Sequence, residues 1–188
     1  MTEATISKAT TSKSISKIFI SASINDVWRE ITKTGEAQKC FFNNVMHRTG
    51  LRPGAIVQMR TISNKYVGVV GEILEIDPPH KFSMTFKFTN YDDPECKVTY
   101  LLKEVEGGVE FTLISENMPV GTKTEKQMRS GSNMIVKVLK DTIEKGQPSF
   151  GIRVLFGLFK LLEPLSPAKC KVENWPLVES QKSEEAVL

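Results

Sequence analysis

Reactive side chains are sparse in this chain and lie far apart. Its 188 residues include only His47 and His80 as histidines and Cys40, Cys96 and Cys170 as cysteines. An odd number of widely spaced thiols with no C-x-x-C pair makes neither a disulfide framework nor a zinc site, and it points to a reducing compartment, the cytoplasm. No G-x-S-x-G, H-E-x-x-H, phosphate-loop or dinucleotide pattern occurs. The hydroxyls of Tyr66 and Tyr100 can meet a ligand, although a strand tyrosine more often packs its ring and hydrates its tip. His47, read as part of a loop after Phe41-Phe42, can supply a pH-sensitive contact, although a surface histidine is the commoner case. Glu72 and Glu116 become general-base candidates only where a bulge turns them inward, and alternation points Glu116 outward. No carboxylate pair and no nucleophile–base pair emerges. No catalytic residue, metal ligand or cofactor is therefore assigned.

These groups must be positioned by one domain. Hydrophobic residues make up 40% and charged residues 25%, the balance of a soluble globular chain. A net charge of +3, from 25 basic and 22 acidic residues dispersed along the chain, leaves no nucleic-acid footprint. Residues 1–13 lack the apolar core of a secretory signal and are expected to fray, as is the polar tail 178–188. The main domain is expected over 14–147 and an extension over 148–177.

A first strand is expected at 14–21, then a helix over 24–33 capped by Ser23, with Ile24, Val27, Trp28 and Ile31 on its inner stripe. A helical turn follows, ending at Phe41 and Phe42. From residue 55 the period becomes two, and five strand-like runs alternate with turn residues in a meander. Phe82, Met84, Phe86 and Phe88 share one face of the third run, with Ser83, Thr85, Lys87 and Thr89 on the other. Gly68 and Gly71 allow a sharp bend. A long amphipathic helix then ends at Gly146. Inward strand positions Met59, Met84, Phe86, Phe88, Val98, Tyr100, Phe111 and Leu113 are expected to face Met128, Ser132, Ile135 and Leu139 on that helix. Tyr66 joins them, with Phe41, Phe42 and His47 at the mouth. These side chains either fill a core or line a cavity.

Three phrases carry a family resemblance: Ile20-Ser21-Ala22-Ser23 running into Asp26-Val27-Trp28, then Leu51-Arg52-Pro53-Gly54, then Gly71-Glu72-Ile73-Leu74-Glu75-Ile76-Asp77-Pro78-Pro79. With the order of elements, they make residues 14–146 resemble the START-like or SRPBCC superfamily, nearest the branch named for the activator of the ninety-kilodalton heat-shock protein ATPase. The resemblance implies an α+β helix-grip fold, in which a bent antiparallel sheet wraps a long C-terminal helix around a cavity for a hydrophobic small molecule, lipid-like or aromatic. It also implies two alternatives: a protein-interaction role as a chaperone ATPase cofactor, or a cyclase- or hydrolase-type enzyme using Tyr66, Tyr100 and His47 in the same cavity. The phrases are turn, cap and core signals and carry no catalytic residue with them.

Beyond the usual end of such a domain lies FGIRVLFGLFKLLE, residues 150–163, whose polar stripe as a helix is only Arg153, Gly157 and Lys160. Fourteen residues rise about 21 Å, short of the roughly 30 Å hydrocarbon core of a bilayer. This helix is expected to cover an apolar opening on its own domain, to pair with a second copy, or to lie in a membrane surface. Pro164, Pro167, Trp175 and Pro176 are expected to continue as an extended wrap.

Overall fold

The computed structural model describes residues 11–178. The expected polar ends 1–10 and 179–188 lie outside the described residues. The elements are β1 (Thr11–Ile20), α1 (Ile24–Thr32), β2 (Ala37–Gln38), a 3-10 turn (Lys39–Phe41), β3 (Asn44–Arg48), β4 (Ile56–Arg60), β5 (Val67–Asp77), β6 (Lys81–Phe88), β7 (Cys96–Val105), β8 (Gly108–Pro119), α2 (Lys123–Lys145) and α3 (Phe150–Leu162). The eight strands form one antiparallel sheet in the order β1-β8-β7-β6-β5-β4-β3-β2. The first strand thus closes against the last, and everything between is a meander. The sheet curls around α2, which is the helix-grip arrangement.

Curvature comes from identifiable irregularities. Pairing slips between Met59 and Arg60 where β4 meets β5, and between Ile73 and Glu75 where β5 meets β6. Each slip is a bulge that bends and twists its strand. Between them a Cβ on Gly71 would stand 2.0 Å from the Thr85 carbonyl oxygen, so only glycine lets β5 and β6 approach this closely.

α2 is delimited by its own ends. The Thr122 hydroxyl accepts from the Glu125 amide at 3.2 Å, and Gly146 stops the helix in the left-handed conformation at φ 75°. Its buried stripe, including Met128, Val136, Val138 and Leu139, joins the sheet's inner side chains in a continuous core with Ile20, Val27, Phe82 and Phe111.

Four local expectations are corrected. β1 begins at Thr11, inside the stretch expected to fray, because β8 is long enough to pair with it there and Lys13 bridges to Glu116 at 2.9 Å. Residues 44–48 are strand, not loop: they pair with β4, the neighbour that satisfies their backbone groups. Ser83 and Thr99, assigned to the wet face, are buried; their hydroxyls hydrogen-bond at 3.0 Å and sink between longer neighbours. The proline-rich segment is not extended but folds as 3-10 turns at Glu163–Leu165, Ala168–Cys170 and Val172–Asn174, where proline's restricted φ suits short tight turns.

Candidate functional site

An apolar cavity of about 420 Å³ lies between the inner face of the sheet, α2 and the segment after α2. Alternation along each strand decides which side chains enter it. β4 contributes Met59, β6 contributes Met84, Phe86 and Phe88, β7 contributes Val98 and Tyr100, and β8 contributes Leu113 and Ser115. α2 presents Met128, Ser132 and Ile135 at helical spacing, and Tyr66 stands where β5 begins. Phe41 belongs to the inner wall, its ring centroid 5.6 Å from that of Tyr100.

Three expected positions do not line the space. Phe111 is fully buried behind Tyr100, its ring stacked on it at 5.9 Å, and Leu139 is fully buried one and two turns beyond the lining positions of α2. Both face inward but lie beneath other side chains. His47 is on β3, where Asn44 and Met46 enter the cavity, so the odd-numbered side chain takes the opposite face of the sheet. There it pairs in register with Gln58, and partial burial, with Arg60 as a lesser cause, lowers its pKa. It is no mouth residue.

Sequence reasoning missed a second set of wall residues: Asn44 and Met46 from the unrecognised β3, Val67 and Val69 of β5, and the lid residues Phe159, Ser166, Pro167 and Cys170. Nothing local could have revealed the lid, since it depends on where α3 folds back.

The lid is held by a turn of two strained residues and by several clasps. Phe42 and Asn43 adopt left-handed φ of 55° and 62°. For side chains with a Cβ this conformation costs about 1–2 kcal/mol per residue. The turn aims the Phe42 ring at α3, with centroids 6.4 Å from Phe156 and 6.5 Å from Phe159. On its other side Gly131 of α2 leaves room, because a Cβ there would already lie 3.6 Å from the ring. Phe156 is buried on this contact. Farther along, the Ser63 hydroxyl donates to Glu163, Lys169 reaches Asp92 at 2.9 Å, the Val172 amide donates to Lys65 O at 3.0 Å, and Gln58 Nε2 donates to Trp175 O at 3.0 Å.

The wall's exposed surface is mostly apolar, and Asn44, Thr61, Thr89, Asn90, Gln127 and Ser166 add polar groups to it. Burial, with Cys40 as a lesser cause, pushes the Tyr100 hydroxyl far above the usual phenol range, so it remains a neutral hydroxyl and not a base. Ser132 spends its proton on Met128 O at 2.6 Å. Ser115 Oγ is buried with no hydrogen-bond partner. The described residues hold no cluster of His, Cys, Asp or Glu able to bind a metal, and no helix long and apolar enough to cross a membrane. Chemically, the chamber can enclose apolar surface and offer an isolated hydroxyl.

Comparison with known proteins completes the picture. The family described as "Activator of Hsp90 ATPase homolog 1-like protein" matches residues 21–144. None of the curated proteins compared with the chain matches it. Among solved structures, CalU16 from Micromonospora echinospora is 19% identical with a TM-score of 0.56, over 78% of this chain and 82% of that one. The Aha1 dimer from Colwellia psychrerythraea is 15% identical with a TM-score of 0.60, over 73% and 99%. DynU16, described as a putative protein in the dynemicin biosynthetic locus, is 18% identical with a TM-score of 0.56, over 72% of this chain and 48% of that one. Identities this low establish the shared fold alone. The family match stops before α3, so the lid is an addition to the matched domain.

Proposed function

The chain belongs to the Activator of Hsp90 ATPase homolog 1-like family, and from that premise we propose that it is a cytoplasmic protein that binds or carries one hydrophobic small molecule, lipid-like or aromatic, in the helix-grip cavity. A single observation supports this most: a partly covered apolar cavity of about 420 Å³ is kept between the sheet and α2, beside a segment that lies beyond the matched domain. Binding sites for small molecules are of this size and character, mostly apolar with a few polar groups that orient the guest. The methionines Met46, Met59, Met84 and Met128 give the wall side chains that adapt to an irregular ligand.

The test is titration with an apolar fluorescent probe, anilinonaphthalene sulfonate, beside native mass spectrometry of the protein from its source. Saturable one-site uptake is expected, weakened at least about tenfold by Gly131→Phe, which fills the space beside Phe42. No uptake and no extractable adduct would sink the reading. A second reading, a cyclase- or hydrolase-type enzyme using the same cavity, is favoured by one observation, the unpartnered Ser115 hydroxyl in the wall. Ser115→Ala would then abolish turnover and leave probe uptake intact.

A further inference from the structure

α3 sets one side against the domain, with Phe159 at the edge of the cavity, and leaves the other bare. Ile152 and Phe156 pack on the core, and Phe159 edges the cavity while staying 44% exposed; outward, Phe150 is 73% exposed, Val154 56%, Leu158 47%, Leu161 75% and Leu162 45%, and Leu165 just beyond is 78% exposed. Six exposed large apolar side chains on one 13-residue helix are far more than the scattered exposure normal for a soluble surface. We propose that this outer face docks on an anionic lipid bilayer.

Charge selects that partner. The only charged residues of α3 are Arg153 and Lys160, two turns apart on one flank of the apolar face. The Arg153 guanidinium already lies 5.7 Å over the exposed Phe150 ring, so the cation rides at the edge of the apolar strip. An apolar strip edged by long cationic side chains is how a helix lies in an interface, with its side chains in the acyl boundary and its cations among phosphates. Its 13 residues span about 20 Å, too short to cross. A second copy fits less well. A strip of that length and about 10 Å in width offers a few hundred Å², below the roughly 800 Å² per partner of a stable interface. An antiparallel two-fold pairing would also set Arg153 and Lys160 of both copies along the same side of the seam, where like charges repel. Docked this way, the lid of the cavity would rest on the lipid surface.

The test is co-sedimentation of the full chain with vesicles of phosphatidylcholine alone and of equimolar phosphatidylcholine and phosphatidylserine, beside analytical ultracentrifugation of the chain alone. Binding to the mixed vesicles, weakening with salt, is expected. Val154→Ser with Leu161→Ser should reduce it at least about tenfold. Arg153→Gln with Lys160→Gln should reduce it roughly thirtyfold on anionic vesicles. Both pairs are solvent-exposed, so unchanged melting is expected. The proposal is overturned if the chain stays in the supernatant with both vesicles, if neither pair of substitutions matters, or if it forms a dimer that the Val154→Ser, Leu161→Ser pair dissolves. Sedimentation needs no cavity ligand, so its failure would leave the binding reading intact, and failed probe uptake would leave this docking intact.

Discussion

α2 has 23 residues, charged along its outer side, and buries Thr124, Met128, Ser132, Val136, Val138 and Leu139 along one stripe. α3 has 13 residues, nine of them large and apolar, and buries only Phe156. The more hydrophobic helix is therefore the more exposed one. α2 is capped at both ends and gripped by the sheet, whereas the Ser149 side chain makes no capping bond for α3. Folding can account for the composition of α2, since each apolar residue there finds a place in the core. It cannot account for α3, half of whose apolar surface stabilises nothing within the chain.

The contrast is easiest to break at the core. Leu139→Ala should destabilise the whole domain by about 2–5 kcal/mol, measured by urea unfolding, because the void it leaves sits where nothing can collapse into it. A loss below about 1 kcal/mol would show that α2 is no more firmly held than the lid. Acid should loosen the same region to a smaller degree. Glu116 is held below the ordinary carboxylate range chiefly by a hydrogen bond from Lys13, Glu144 chiefly by one from Lys140 and then by the Ser21 amide, and Glu125 chiefly by one from Ser12. Glu116 and Glu125 tie β1 to β8 and to α2, and Glu144 ties α2 to Ser21 just past β1. Their folded pKa values are depressed, so the unfolded chain takes up protons first. The stability they contribute is present above the unfolded carboxylate pKa of about 4.3 and is lost as pH falls through the lower folded values. Melting temperature should fall in that acid window, and Glu116→Gln with Glu144→Gln should flatten the fall; an unchanged slope would remove these pairs from the account. The smallest effect should come from Leu161→Ser on the bare side of α3, within about 0.5 kcal/mol of the parent in the same unfolding measurement. A larger loss would mean that this face is packed in solution.

The regions most legible in the sequence were those where burial follows a local period. Phe82 to Phe88, Val98 to Leu102 and the stripe of α2 each declared their inner face, and Ser23 and Gly146 marked helix ends through the backbone groups they satisfy or release. The short run Asn44–Arg48 has too few apolar residues to show alternation, so β3 was hidden and His47 went to the wrong side of the sheet. Phe111 and Leu139 failed differently: periodicity reports direction and says nothing of depth, and both point inward beneath a neighbour. The membership in a family was legible because turns, caps and core positions leave short phrases that need no tertiary information.

The sequence alone determined the meander, the gripping helix and an apolar segment too short to span a bilayer. Only the tertiary structure decided that the core keeps a cavity, which residues line it, and that α3 is held at its edge by meeting Phe42 more than a hundred residues earlier in the chain. The reason is range. Period and capping are set by neighbours within a turn or a strand, whereas depth, voids and lids depend on contacts between segments whose separation leaves no trace in either one's local pattern.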